Sequence, residues 1–106
     1  MSTYAHALEA LADPMRRSIF ESLRRGPRAV GELAAGFPVS RPAVSQHLRV
    51  LRDAGLVSAR AEGTRRVYAV QPDGLTELRD YLEELWDDSL RAFKAEAERS
   101  SRSGAH

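Results

Sequence analysis

Apolar residues in the first quarter of the chain recur at the three- and four-residue spacing that is typical of amphipathic helices. Two such sets precede residue 26, with Leu8, Leu11 and Ala12 in the first and Met15, Ile19 and Leu23 in the second. Asp13-Pro14 lies between them and predicts a new helix start, because Asp is a favourable N-cap and Pro suits the first turn. Gly26-Pro27 ends that helix. The pattern therefore predicts two consecutive helices.

A shorter helix is predicted from Val30 to Ala35, and Gly36-Phe37-Pro38 ends it. Ala29 stands where a capping Ser or Thr would satisfy the first backbone N–H groups. The start of this helix is therefore weakly defined by the sequence.

The stretch SRPAVSQHLRVLRDAGLV, residues 40 to 57, combines a narrow apolar line with a polar outer face. Ser40 is a good N-cap and Gly55 can adopt the left-handed C-cap conformation, so we predict a helix over residues 41 to 54. At about 100° per residue, the inner line consists of Val44, Leu48 and Leu51. The outer side carries Arg41, Ser45, Gln46, Arg49 and Arg52. His47 lies at the flank, where it can pack or reach a phosphate.

Between residues 57 and 70 the pattern changes to the period of two that is typical of β-strands. Two short strands around Glu62-Gly63-Thr64 are predicted to form a hairpin with arginines at its tip and sides. Gln71-Pro72-Asp73-Gly74 is predicted to be a turn.

A last helix of about residues 73 to 99 is predicted from apolar residues three and four positions apart. They are Leu75, Leu78, Leu82, Leu85, Trp86, Leu90, Phe93 and Ala97. This apolar line is longer than one small domain can cover. Residues 101 to 106 are predicted to form a disordered tail.

Length and composition restrict the class of protein. The chain has 106 residues, of which 42% are hydrophobic and 29% charged, as in a single globular domain, which we assign to residues 1 to 100. It has no cysteine, which excludes disulfides, zinc fingers and thiol catalysis. The N-terminus is unlike a secretory signal, and no apolar run approaches the roughly 18 residues of a membrane span. We therefore expect a cytoplasmic protein without a membrane partner.

The charges are unevenly distributed, although the net charge is only +1. Residues 40 to 68 contain six arginines and two acidic residues, whereas residues 73 to 99 contain nine acidic and four basic residues. The first segment would attract a polyanion and the second would repel one. Fifteen of the sixteen basic residues are arginine, which is suited to phosphate and guanine, although a GC-rich genome gives the same bias.

The order of elements predicts a fold that is mainly α with a two-stranded β wing, a winged helix-turn-helix. A helix fits the major groove of B-DNA, and residues in its first turns face the base edges. Gln and Ser can hydrogen-bond base edges, and Arg can bind guanine or phosphate. The basic hairpin is placed to lie along the backbone or to enter the minor groove.

The sequence resembles the ArsR family of bacterial winged-helix repressors over about residues 7 to 71, most densely in VSRPAVSQHLRVLRDAGLV. The last helix is similar to a branch often encoded beside small lipid- or ligand-binding proteins. The resemblance implies a homodimer, dimerising through its first and last helices, that represses its own operon. Two copies of the DNA-binding helix would bind the inverted half-sites of a double-stranded operator. A small-molecule inducer is left open.

The resemblance also implies the positions of the functional residues. DNA contacts are expected from Ser40, Arg41, Ser45, Gln46, His47 and Arg49, and in the wing from Arg65 and Arg66. Dimer contacts are expected from Leu8, Leu78, Leu82, Leu85, Trp86 and Phe93.

The sequence departs from the metal-sensing members of the family. Some of those members bind metal through a Cys pair on the helix that precedes the recognition helix, where this chain has Val30-Gly31-Glu32-Leu33. Others bind it through His and carboxylates on the last helix, which here has no His. Neither metal sensing nor any cofactor is therefore expected. The absence of a nucleophile–base pair and of a phosphate-binding glycine loop argues against an enzyme.

Alternatives stay open for individual residues. The polar face of residues 41 to 52 can be an ordinary solvated helix face, and His47 suits packing or phosphate contact better than base reading. Arg65 and Arg66 are strand neighbours and point to opposite sides, so at most one is expected to face phosphate squarely.

The last helix also has alternative interpretations. Its acidic residues, Glu83, Glu84, Asp87 and Asp88, form an outer face more readily than a cation site, and His6 pairing with them across a dimer is a further alternative. A ligand pocket competes with a dimer core around Trp86 and Phe93. The competing class is a protein-interaction module that docks a partner through this acidic helix.

Overall fold

Four short helices and a small sheet precede one long helix in residues 3 to 103, which are the residues that the computed structural model describes. The helices are α1 (Thr3–Ala12), α2 (Pro14–Leu23), α3 (Val30–Ala35), α4 (Arg41–Asp53) and α5 (Pro72–Ser103). The strands are β1 (Arg28–Ala29), β2 (Val57–Glu62) and β3 (Arg65–Val70).

The helix starts follow the capping residues that the sequence indicates. The Asp13 carboxylate accepts a hydrogen bond from the Arg16 backbone N–H at 2.9 Å, and the Ser40 hydroxyl accepts one from the Ala43 N–H at 3.3 Å. At Ala29 no side chain caps α3, as expected. These local interactions fix where α2 and α4 begin.

The core lies between α2, α3, α4 and the base of the sheet. Val44, Leu48 and Leu51 on α4 are completely buried, and they pack in one cluster with Ile19 of α2 and Leu33 of α3. The predicted inner line of α4 is confirmed. Because that line is buried, the opposite face of α4 is held toward solvent.

The sheet has a third strand that the sequence pattern does not reveal. Its order is β1-β3-β2, and Arg28 of β1 pairs with Tyr68 of β3. The expected alternation therefore fails at the base of β3, where neighbouring Val67 and Tyr68 are both buried. The base of this central strand is covered because it contacts α2 and α3 as well as both neighbouring strands.

The last helix begins and ends outside its predicted bounds. It starts at Pro72, so the predicted turn at residues 71 to 74 is the first turn of α5 instead. It ends at Ser103, which makes residues 101 to 103 helical rather than part of a tail. Residues 1, 2 and 104 to 106 lie outside the described part of the chain, so the predicted tail is described only in part.

Much of α5 projects away from the rest of the protomer. Its 32 residues span about 48 Å at 1.5 Å per residue. The Cα radius of gyration is 19.8 Å, against about 13 Å for a compact chain of roughly 100 residues. Every residue from Leu82 to Arg102 is exposed. Within residues 3 to 103, no helix is both long and apolar enough to cross a bilayer.

A close backbone contact joins the end of α4 to the start of α5. Gly55 follows α4 with φ of 74°, in the left-handed region that glycine adopts without strain. Its carbonyl accepts a hydrogen bond from the Gly74 N–H at 2.8 Å. A Cβ atom on Gly74 would lie 2.5 Å from the Ala54 carbonyl oxygen, closer than atoms can approach. The sequence Asp73-Gly74 therefore has a packing role at this joint.

Gly74→Ala is expected to lower the free energy of unfolding by about 1–3 kcal/mol, because the added methyl group collides with the backbone of Ala54 and Gly55. Chemical denaturation at fixed protein concentration measures the change. Gly31→Ala is the matched control, since its Cβ would meet only the Arg41 guanidinium at 3.9 Å. Helix propensity predicts a gain of about 0.5–1 kcal/mol for the control. Equal stability of the Gly74 variant and the wild type would contradict the close packing.

Candidate nucleic-acid interface

The outer face of α4 presents a row of hydrogen-bonding side chains to solvent. Arg41, Ser45, Gln46, Arg49 and Arg52 are all exposed. They stand opposite the buried line of Val44, Leu48 and Leu51, as the helical spacing predicts. Ser40, the N-cap, is exposed at the start of the same face. The first turns of α4 therefore bring an open helix N-terminus and four of the predicted DNA-contacting side chains to one surface.

His47 differs from these residues because it is only half-exposed, at the edge of the face. It lies near Asp13, the N-cap of α2. The hydrogen bond from the Arg16 backbone N–H lowers the pKa of the Asp13 carboxyl. His47 therefore lies between the exposed face of α4 and the start of α2.

The two wing arginines have different surroundings. They stand next to each other at the start of β3, where Arg65 pairs with Glu62 and Arg66 pairs with Ala61 of β2. The Arg65 guanidinium donates a hydrogen bond to the Glu32 carboxylate of α3. Arg66 is exposed and forms no ion pair in the described residues. Within the described residues, a carboxylate therefore compensates the charge of Arg65 but not that of Arg66.

Ion pairing divides the six arginines of residues 40 to 68 into two groups. Arg60 is paired with Glu62 at 2.7 Å, and Arg65 is paired with Glu32. The other four have no ion pair within residues 3 to 103: Arg41, Arg49, Arg52 and Arg66. The positive charge of the surface therefore comes mainly from α4 and from Arg66.

An open cleft connects α3, α4 and the wing. Residues 29 to 32, Arg41 and residues 64 to 66 line it. The Arg41 guanidinium reaches over Gly31, where it is 3.9 Å from the position that a Cβ atom would take. Three guanidiniums and one carboxylate, that of Glu32, thus share the cleft. Glu32 is not among the residues predicted from the sequence, and no local pattern indicates it, because Arg65 is 33 positions away.

A second candidate surface lies on α5 and is apolar. Leu82, Leu85, Trp86 and Phe93 are 49%, 48%, 66% and 73% exposed. Leu8 of α1 is 42% exposed as well. Leu78 differs from these predicted interface residues because it is half-buried against the core of its own protomer. Exposed aromatic and leucine side chains of this number are typical of an interface.

The start of α5 is attached to α1. The rings of Tyr4 and Tyr81 are stacked, with centroids 4.0 Å apart and an interplanar angle of 3°. Beyond Tyr81, the residues of α5 up to Arg102 are exposed.

Among residues 3 to 103, no group of three His, Asp or Glu side chains is arranged to hold a metal ion.

Comparisons with known proteins bear on the fold and the function. The model of the ArsR family of bacterial regulatory proteins matches residues 13 to 59. The HTH-type transcriptional regulator Rv2034 of Mycobacterium tuberculosis is 55% identical over 96 residues, which are 88% of this chain and 90% of that protein. The transcriptional repressor SdpR of Bacillus subtilis is 32% identical over 65 residues, 61% of this chain and 72% of that protein.

A solved structure supports the architecture. The homodimeric winged helix-turn-helix DNA-binding domain of Mb0332 from Mycobacterium bovis is 31% identical to this chain, with a TM-score of 0.66 over 85% of this chain and 83% of that one. The predicted fold class, mainly helical with a β wing, is confirmed.

Proposed function

Because the chain belongs to the ArsR family of bacterial regulatory proteins, we propose that it is a homodimeric, sequence-specific DNA-binding repressor of its own operon. It is a transcriptional regulator and not an enzyme. The observation that carries the proposal is the exposed polar face of α4, held outward by a completely buried apolar line. This geometry presents Arg, Ser and Gln side chains on a helix that fits the major groove.

In the proposed complex, α4 lies in the major groove with its first turns toward the bases. Ser45 and Gln46 can hydrogen-bond base edges, and Arg49 can bind guanine or the backbone. Ser40 and Arg41, at the helix N-terminus, lie close to phosphate, where backbone N–H groups and the helix dipole favour an anion. His47, at the edge of the face, contacts the backbone rather than a base.

The wing supplies backbone contacts beside the major groove. Its turn consists of Gly63 and Thr64, with arginines directly after it. Arg66 is the principal phosphate contact because its charge is not compensated within the described residues. Arg65 lies at the same surface, but the Glu32 carboxylate holds its guanidinium.

The exposed apolar side of α5 supports dimerisation. A single helix that projects into water is marginally stable, and its apolar residues gain about 25 cal/mol per Å² when they are buried. A second copy can cover this side together with Leu8, using the same residues on both protomers as a two-fold interface requires. The proposed interface residues are Leu8, Leu78, Leu82, Leu85, Trp86 and Phe93.

We propose that the two α5 helices pack antiparallel to each other. The midpoint between Leu78 and Phe93 falls between Leu85 and Trp86. A two-fold axis at this point places Leu78 of each protomer opposite Phe93 of the other. The two copies of α4 then read the half-sites of an inverted-repeat operator, about one helical turn apart. Residues 1 to 100 act as one domain in this assembly.

DNA binding is expected to be specific and dependent on salt. Between residues 40 and 68, each protomer has four arginines that form no ion pair with any residue from 3 to 103. A dimer that neutralises about 6 to 8 phosphates gives a slope of about −5 to −7 for log K against log salt. Fluorescence anisotropy with the duplex upstream of the gene, and a scrambled duplex as competitor, measures both properties. A preference of ~10³ or more for the upstream duplex is expected. A slope near zero would refute the proposed function.

Gln46→Ala is expected to weaken binding to the upstream duplex by about 1–3 kcal/mol and to relax the preference at one base pair of each half-site. Arg66→Ala is the comparison variant, because loss of a phosphate contact weakens binding to every duplex and makes the salt slope shallower by about 1 per contact. Anisotropy titrations with a set of duplexes substituted at single positions distinguish the two effects. An equal loss on the upstream and scrambled duplexes would show that Gln46 does not read a base.

Single-cysteine variants are expected to report the dimer geometry, because the chain has no cysteine of its own. In the antiparallel arrangement the two copies of Leu85 are offset by about 1.5 Å along the helix axes, whereas the two copies of Ala97 are offset by about 35 Å. Leu85→Cys should therefore form a covalent dimer on mild oxidation, and Ala97→Cys should not. Cross-linking at both positions would indicate parallel helices. A wild-type monomer by light scattering would favour docking of a different protein.

A further inference from the structure

We infer that Glu32 lowers the affinity of the wing for DNA by neutralising Arg65. This inference rests on the proposed function and assigns to the DNA-binding surface a residue that opposes binding. Glu32 lies in the first turn of the short helix α3, whereas its partner Arg65 lies at the start of β3. The two side chains meet across the cleft between the helix-turn-helix and the wing.

The contact is formed by groups that DNA can also reach. The side chains of Arg65 and Glu32 are 59% and 51% exposed. Arg41 and Arg66 line the same cleft and have no ion pair in the described part of the chain. A phosphate that approaches these two guanidiniums therefore also meets the Glu32 carboxylate, which repels it.

The electrostatic consequence follows from the net charge of the pair. Counterion release depends on the positive charge that the protein brings to the phosphates. The Arg65–Glu32 pair brings no net positive charge to the phosphates. This holds whether the guanidinium stays with the carboxylate or binds a phosphate and leaves the carboxylate unpaired. Arg41 and Arg66 each bring one full charge. In the cleft, the wild-type protein thus gains two phosphate contacts per protomer from three arginines.

The effect of Glu32 is expected to be independent of DNA sequence. Phosphate contacts carry no direct information on the bases, so the pair weakens binding to the operator and to other DNA alike. It therefore sets the overall strength of the complex and leaves the choice of site to α4. A repressor with weaker backbone contacts dissociates more readily from the bulk DNA that competes with its operator.

The test compares Glu32→Gln with the wild-type dimer by anisotropy at several salt concentrations. The variant keeps the size of the side chain and adds one net positive charge to the cleft. One additional phosphate contact per protomer is expected to make the slope of log K against log salt steeper by about 1.8 for the dimer, at about 0.9 per phosphate. The ratio of the variant's binding constant to that of the wild type should therefore fall about 12-fold between 50 and 200 mM salt, on both the upstream and the scrambled duplex.

Two controls separate the local effect from a general one. Glu21→Gln changes the net charge equally and releases Arg24 from an ion pair of similar exposure, but Glu21 does not line the cleft. Its salt slope should stay close to that of the wild type. The double variant Glu32→Gln, Arg65→Ala removes both charges and should restore the wild-type slope. Circular dichroism melting of each variant shows that the fold is kept.

The outcomes distinguish this inference from the proposed function. A slope for Glu32→Gln that equals the wild-type slope overturns the inference, as does an equal change in Glu21→Gln. A double variant that keeps the steeper slope also overturns it, because the gain would not come from Arg65. A wild-type protein without salt-dependent binding overturns the proposed function instead.

Discussion

The burial of one apolar line on α4 is the interaction on which the rest of the structure depends. Val44, Leu48 and Leu51 are completely buried among α1, α2, α3 and the base of the sheet. Removing any of them would leave a cavity, and truncation of such side chains typically costs about 2–5 kcal/mol. The line fixes the rotation of α4 about its own axis. That rotation decides which side chains face solvent and, in the proposed complex, DNA.

The sequence predicted those features that are set by neighbours within a few positions. Asp13 and Ser40 each bond a backbone N–H three residues on, and the helix starts follow from them. The inner and outer faces of α4 follow from helical periodicity alone. These features need no knowledge of the tertiary structure, which explains why the bounds of α4 and its buried and exposed faces could be predicted from the sequence.

The remaining features depend on residues that are distant in sequence. Strand β1 has only two residues, and it exists because Arg28 and Ala29 pair with Tyr68 and Val67. The buried position of Tyr68 follows from that added strand. The pair of Glu32 and Arg65 forms only when the wing folds back beside α3. No periodicity or motif contains such contacts, so the electrostatic division among the arginines became visible only in the structure.

The backbone contact between Gly55 and Gly74 connects the proposed DNA-binding helix, α4, to the helix of the proposed dimer interface, α5. The Gly74 N–H, near the start of α5, is hydrogen-bonded to the carbonyl of Gly55, which directly follows α4. The start of α5 is thus held against the end of α4 without a flexible connection between them. In the proposed dimer, this contact keeps the two copies of α4 at a fixed distance from each other and at a fixed relative orientation. One extra base pair between half-sites turns the second half-site by about 34° about the DNA axis, at 10–10.5 base pairs per turn. The proposed dimer would therefore discriminate between operators by the spacing of their half-sites as well as by their sequence.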